Sequence, residues 1–406
     1  MKDALDLLNS YPLYFYVFKN AEDSVMNRII LVGEDHHNLL GLVRDFGVNG
    51  ISPCGIIVGK EGYKGFVQKS KYWAKTWYVD SAEEAIGLLK KIFCDKKEPA
   101  VLIASSDDVA AAFDVHYDEL KYNFFLPGFR VQGRVFNLMN KEVQVNYAHK
   151  IGIEMLPSEI VELDSTFELS QYYPIILKPV ASVEGEKTDI KICYNETEEM
   201  ESINDLIKIG YRRLLRQLYL KERTEYVLTG AVMPVLHKCN FTLVKNVRQW
   251  PTCFGTGSFS EFVTEKTLLE FCNQVLEKVQ NSGYSGLIDI EFFKTKDNKM
   301  YLNEVNWRSS GRNFVSLYTG VHSAYWWYCA TIGKNYNDNC RISIKNGWTM
   351  NEMTDFRHIF KFKLSLFELL RDIKRTNSFA VWYCEDLQPF KARILGIIKK
   401  IFRLSI

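Results

Sequence analysis

The chain has 406 residues, is 47% hydrophobic and 25% charged, and carries a formal net charge of +2. This is the balance of a soluble globular protein too long for one simple core, so two or three domains are expected. Near-neutral charge argues against a nucleic-acid binder working by bulk electrostatics, and nine scattered cysteines with no C-x-x-C pair read as reduced thiols in a cytoplasm.

The first twenty residues, MKDALDLLNSYPLYFYVFKN, carry early acids and only a short apolar run at Leu13–Phe18, which is neither a signal peptide nor a membrane span. Residues 27–59 read strand, turn, helix, turn, strand: Ile29–Val32 is an apolar run, Leu39, Leu40, Val43 and Phe46 recur at helical spacing, and Gly55–Val58 extends again. The same alternation continues with a strand at Thr76–Val79, a Ser-capped helix over 81–93 and a buried strand over 100–105, whose SSDD tail can cap the next helix. Alternating strands and helices imply a parallel sheet covered on both faces. His36 and His37 fall in a turn and lack the i, i+4 helical spacing of a metal pair. No G-x-G-x-x-G follows the first strand, so a dinucleotide site has no support.

From Phe124 onward the pattern becomes mixed α+β. A helix over 140–152 ends at Gly152, and YYPIILKPV (172–180) is an apolar strand holding one lysine, Lys178. Residues 195–216 read as a second helix. Strands are expected at 225–233, 241–250, 286–293 and 299–307, with a helix over 264–283. The last ~70 residues read as mostly helical and basic. In the final stretch, Ile394, Ile397, Ile398, Ile401 and Phe402 recur at helical spacing among Lys391, Arg393, Lys399, Lys400 and Arg403. Such a helix either docks its stripe on the core or lies on an anionic membrane surface, and packing is the expectation taken here. The cluster YWWYC (325–329) reads as core.

Side chains alternate across a strand, so Glu304, Asn306 and Arg308 share a face, as do Asp289 and Glu291 in GLIDIEFF. KTKDNK (294–299) is a polar turn joining the two strands as an antiparallel hairpin, which would bring Glu291 opposite Glu304 and Asn306. Two carboxylates and an amide beside an arginine suit a hard divalent cation such as magnesium. A solvated polar hairpin face is the plain alternative. Lys178 weighs against it, because a lysine inside IILKPV wants an anion, and a phosphate could be that anion.

Lys141 before a helix, then YPIILKPV, RQLYLKERTEYVLTGAV, GLIDIEFF and YLNEVNWR occur in an order that resembles the ATP-grasp family over residues 120–330. VRQWPTCFGTGSF (247–259) and the tail over 367–390 resemble its D-aspartate ligase-like carboxylate–amine ligases. The resemblance implies an ATP-grasp fold at 123–335, a small parallel α/β domain before it at 1–122 and a helical basic extension at 336–406. It implies that Lys141 and Lys178 contact ATP phosphates. It also implies that Gln217, Leu218, Tyr219 and Leu220 form the hinge beside adenine, and that Glu225 reaches the ribose. Glu291, Glu304 and Asn306 would hold Mg2+, as two ions, with Mn2+ as a substitute. Arg308 and Arg248 would steady the transferred phosphoryl group or the substrate carboxylate. Two departures stand out: Leu218 occupies a hinge place often held by an acid, and the loop ASVEGEKTD (181–189) is poor in glycine for a phosphate-covering loop.

The function this resemblance implies is ATP-dependent amide formation from a small carboxylate and an amine through an acyl phosphate. The acid would be an amino acid such as D-aspartate and the acceptor a cell-envelope precursor. A carboxylating or kinase-like relative and a non-catalytic nucleotide-binding relative are the alternatives.

Overall fold

The computed structural model describes residues 28–59, 65–94, 98–163, 167–180, 189–234, 238–252, 255–334, 336, 342–343, 345–361 and 363–402. The N-terminal stretch, all but the last residue of ASVEGEKTD, and residues 253–254 of the 247–259 segment lie outside these. The elements open with β1 (Ile29–Glu34), α1 (His37–Val48), β2 (Cys54–Val58), β3 (Lys75–Val79), α2 (Ala82–Ile92), β4 (Ala100–Ala104), α3 (Asp107–Val115) and β5 (Phe124–Phe125). Next come α4 (Lys141–Lys150), β6 (Ser158–Glu162), β7 (Ile175–Pro179), β8 (Lys191–Cys193), α5 (Glu196–Lys208), β9 (Arg213–Leu218), β10 (Arg223–Met233), β11 (Lys238–Trp250) and β12 (Thr256–Phe262). The chain then runs through α6 (Lys266–Asn281), β13 (Gly286–Thr295), β14 (Met300–Asn306), α7 (Ser323–Thr331), β15 (Trp348–Met350), α8 (Leu366–Arg375), β16 (Ser378–Phe379) and α9 (Gln388–Phe402).

The alternation of apolar runs and capped helices in the first part produces the expected parallel sheet, in the order β3-β2-β1-β4-β5. Its central strands are apolar on both faces: Ile30, Leu31, Val32, Val101 and Leu102 are fully buried, as a sheet covered by helices requires. Ser81 caps α2 by accepting from the Glu84 N–H. A seven-stranded sheet has the order β14-β13-β10-β11-β12-β15-β16, and a four-stranded antiparallel sheet the order β6-β9-β7-β8.

The chain divides into two compact units, one of Met1–Arg134, Leu228–Asp289 and Asn306–Ile406, the other of Val135–Val227 and Ile290–Val305. The second has its own core, in which Val161, Ile175, Leu177, Leu206 and Leu214 from the four-stranded sheet and α5 pack together. Truncating one such leucine to alanine costs about 2–5 kcal/mol. In the first, α7 buries Trp326, Trp327 and Tyr328 completely, so the aromatic cluster is core.

Two expectations are corrected. The helix expected over 195–216 stops at Lys208; Gly210 adopts φ +107, and Arg213–Leu218 forms a strand. β9 lies between β6 and β7, so its ladder bonds and the burial of Leu214 and Leu215 outweigh the helical spacing. The terminal helix α9 docks along its first half and leaves part of its apolar stripe in water. Arg393 lies over the Phe66 ring at 5.0 Å, whereas Leu395, Ile397 and Ile398 are 57%, 38% and 40% exposed.

Candidate functional site

Asn140 starts α4 by accepting from the N–H groups of Glu142 at 2.9 Å and Val143 at 3.3 Å. Lys141 is thereby set at the end of β7: its N–H donates to the Val180 carbonyl at 2.9 Å, and its Nζ to the Pro179 carbonyl at 3.3 Å. Lys178 lies one residue earlier on β7. Its Nζ donates to Gln217 Oε1 at 2.9 Å and to Asn303 Oδ1 at 3.3 Å. Loss of water lowers its pKa from 10.5 to about 8; Lys141 and Arg223 push the same way, and Glu304 and Glu291 oppose them. The two lysines expected to meet phosphate are therefore neighbours, and both expected carboxylates act on Lys178.

The hairpin forms where the polar turn was read, with Asn298 in the left-handed region at φ +64 and the Thr295 N–H bonded to the Lys299 carbonyl. Its cross-strand partners differ from those expected. Asn303 Nδ2 donates to Glu291 Oε2 at 3.0 Å, and Asn306 Nδ2 donates to Asp289 Oδ1 at 3.4 Å. Gln144, buried on α4, holds the backbone of β14: its Nε2 donates to the Val305 carbonyl and its Oε1 accepts from the Val305 N–H, both at 2.9 Å. Val305 therefore bonds to a side chain where a neighbouring strand would otherwise stand.

Asp289 is the candidate that reading the strands left out of the metal set. It is 4% exposed, and its Oδ2 has no hydrogen-bond partner among the described residues. Burial raises its pKa; Ser310, Arg312, Arg308 and Asn306 favour the charged form. An orphaned carboxylate oxygen in the interior costs free energy unless a cation or donor meets it. The signal was present, since Asp289 alternates with Glu291 on β13, but only burial separates the two. Among the described residues no three His, Cys, Asp or Glu side chains gather as a metal cage. A divalent ion would draw on carboxylates together with amide oxygens, a donor set that suits magnesium.

The arginines divide. Arg308 makes a fork to Asp107, Nε to Oδ1 at 2.8 Å and Nη2 to Oδ2 at 2.7 Å, and its Nη2 donates to Asn306 Oδ1 at 3.5 Å. Arg248 is clasped by two fully buried carboxylates, with Nη2 to Asp355 Oδ2 at 2.7 Å and Nη1 to Asp372 Oδ2 at 2.6 Å. It also lies over the Phe259 ring at 4.4 Å. These bonds form a structural clasp around a residue also expected at the substrate. A further arginine, Arg312, donates to Ser260 Oγ at 3.0 Å and Asn246 Oδ1 at 2.6 Å against the bare backbone of Gly257, where a Cβ would come within 2.1 Å of its Nη2.

In the expected hinge, Gln217 turns its side chain to Lys178. The Leu218 N–H bonds to the Pro157 carbonyl and the Tyr219 N–H to the Pro174 carbonyl, each at 2.9 Å. Arg223 donates to the Leu220 carbonyl at 2.6 Å and lies over the Tyr219 and Phe293 rings. Glu225 is half-buried on β10. His36 caps α1 by accepting from the Asn38 N–H, and His37 is buried, which lowers the pKa of its ring.

The chain is similar to a D-alanine–D-alanine ligase from a Nitratiruptor species, 25% identical over 301 residues that cover 68% of this chain and 85% of that protein. Among solved structures it is similar to N5-carboxyaminoimidazole synthetase from Staphylococcus aureus, with a TM-score of 0.60 and 15% identity over 87% of this chain and 91% of that one. It is also similar to the biotin carboxylase domain of 2-oxoglutarate carboxylase from Hydrogenobacter thermophilus, with a TM-score of 0.61 and 14% identity over 80% of this chain and 74% of that one. No protein-family model matches the chain.

Proposed function

We propose, from the premise that this chain is an ATP-grasp protein related to ADP-forming carbon–nitrogen ligases, that it joins an amino-acid carboxylate to an amine. The carboxylate attacks the γ-phosphate of ATP, forming an acyl phosphate and releasing ADP. The amine then attacks the acyl carbon, loses a proton, and expels inorganic phosphate as the amide forms. Likeness to a D-alanine–D-alanine ligase supports an amino acid as the acid and a small amine, such as an amino acid or a cell-envelope precursor, as acceptor.

Each residue has a part in this reading. Lys141 and Lys178 neutralise the triphosphate as charge moves onto the leaving ADP. Gln217, Leu218, Tyr219 and Leu220 flank the adenine, with Glu225 at the ribose. The magnesium ions would be held by the set expected from the sequence, Glu291, Glu304 and Asn306, with Asp289 bonded to Asn306 as a further carboxylate, and would supply charge neutralisation at the phosphates. Arg308, oriented by Asp107, meets the phosphoryl group or the acid. Arg248 keeps its structural clasp and takes no chemical part.

The observation that carries the proposal is the bonded series Lys178–Asn303–Glu291 with Lys141 alongside. A cation amid acids at a strand end suits a phosphate bridged by metal better than it suits a hydrophobic core. The seven cysteines described as free thiols fit a reducing compartment, so we read the enzyme as cytoplasmic. No described helix is long and apolar enough to cross a membrane.

The test is to incubate the protein with ATP, magnesium, hydroxylamine and an amino-acid pool. Hydroxamate together with ADP is the expected result. Phosphorylated or carboxylated product would point to another acceptor, and nucleotide binding without turnover to a non-catalytic relative.

A further inference from the structure

Helix α8 is seated on the molecule by one side only. Leu369 is buried with Phe259 and Met350, and Ile373 packs against them. Its start is fixed by a capping box in which Ser365 and Glu368 satisfy each other's backbone N–H groups. The other side is apolar and bare: Leu366 is 63% exposed, Phe367 77% and Leu370 57%. At 100° per residue these three share one arc, and Lys374 falls on the same arc. A folded, capped helix that holds a phenylalanine out in water gains nothing from it in the monomer.

The charge around this arc is one-sided. Residues 357–376 contain Arg357, Lys361, Lys363, Arg371, Lys374 and Arg375 against Glu368 and Asp372. Asp372 is fully buried and pairs with Arg248, Arg371 and Arg375, so the exposed cations that rim the arc are Lys361, Lys363 and Lys374. The terminal helix α9 carries the same combination, with Leu395, Ile397 and Ile398 exposed alongside Lys391 and Lys399.

We infer that the α8 face is a docking surface for an anionic lipid bilayer, with Phe367, Leu366 and Leu370 entering the interface and the flanking Lys361, Lys363 and Lys374 meeting lipid headgroups. Apolar anchors ringed by cations are the pattern an interfacial helix needs, and each basic side chain near such a surface adds to the attraction. A second copy of this chain is the competing occupant. A symmetric contact would set the basic rims of the two copies against each other, and that repulsion disfavours it. The inference stands apart from the reaction assigned above, so neither fails with the other.

The experiment is co-sedimentation of the full chain with vesicles of phosphatidylcholine alone and of phosphatidylcholine mixed with phosphatidylglycerol. Binding is expected only to the mixed vesicles, with release at high salt. Phe367→Glu should weaken it tenfold or more, and Lys363→Glu with Lys374→Glu on the order of a hundredfold, with thermal unfolding unchanged in both. Equal binding by Phe367→Glu and wild type, or no binding to the mixed vesicles, overturns the inference. So does a concentration-dependent dimer that Phe367→Glu dissolves, which would assign the face to a second copy.

Discussion

Lys178 donates from Nζ to Gln217 Oε1 at 2.9 Å, so the amine on β7 rests against a neutral oxygen on the neighbouring strand β9. Its pKa of about 8 reflects that setting, because a neutral acceptor repays little of the cost of leaving water. A bound triphosphate would draw the pKa back up. Nucleotide binding at pH near 8 should therefore take up protons, measurable as a calorimetric enthalpy that varies with the ionisation heat of the buffer. Lys178→Gln should remove that uptake together with turnover. Without ligand, the unfolded chain holds a proton that the folded chain has lost between about 8 and 10.5, so stability should rise with pH through that window. Lys178→Met should stabilise the free protein at neutral pH by roughly 1–3 kcal/mol.

Asp289→Asn should separate stability from activity. It removes a buried charge whose Oδ2 lacks a partner, so the melting temperature is expected to rise while turnover falls about a hundredfold or more. Glu291→Gln keeps an oxygen for the Asn303 amide and should cost less. Steady-state rates across a magnesium titration check the order; a larger loss from Glu291→Gln would rank Glu291 above Asp289 as a metal ligand.

Arg248→Met should act through folding. It leaves Asp355 buried with only the Ser258 hydroxyl and Asp372 with Arg371 and Arg375, a loss of about 3 kcal/mol. Denaturant melts should show it, while the rate per folded molecule at low temperature stays within a few-fold of wild type. A folded but inactive variant would restore the arginine to the chemistry.

Asp107→Asn should act through Arg308, whose fork it holds. The expected result is roughly a tenfold drop in kcat/KM for the acid with KM for ATP unchanged. Arg308→Lys should cost more, because an ammonium cannot reproduce the planar fork. Initial rates with each substrate varied in turn distinguish the two.

The parallel sheet, the lysine strand and the hairpin were legible because each rests on a local signal: buried apolar runs, a Ser cap, a polar turn between alternating strands. Asp289 was not, since alternation places it on the same face as Glu291 and only depth in the fold tells them apart. The clasp around Arg248 was hidden for a related reason. Its partners Asp355 and Asp372 lie more than a hundred residues away in sequence, and nothing near Arg248 announces them. The strand at Arg213–Leu218 reads as helix until β6 and β7 are known to flank it.

One amide, that of Gln144, fastens α4 to β14 through both polar groups of Val305. Sliding the strand by a single residue would break both bonds and strand an amide in the interior. The helix that begins at Lys141 and the strand that bears Glu304 consequently move as a single piece. In the proposed reading, the interval from that amine to that carboxylate is a gauge set by this tie. A triphosphate mimic built to that gauge would therefore meet a target already set to its measure.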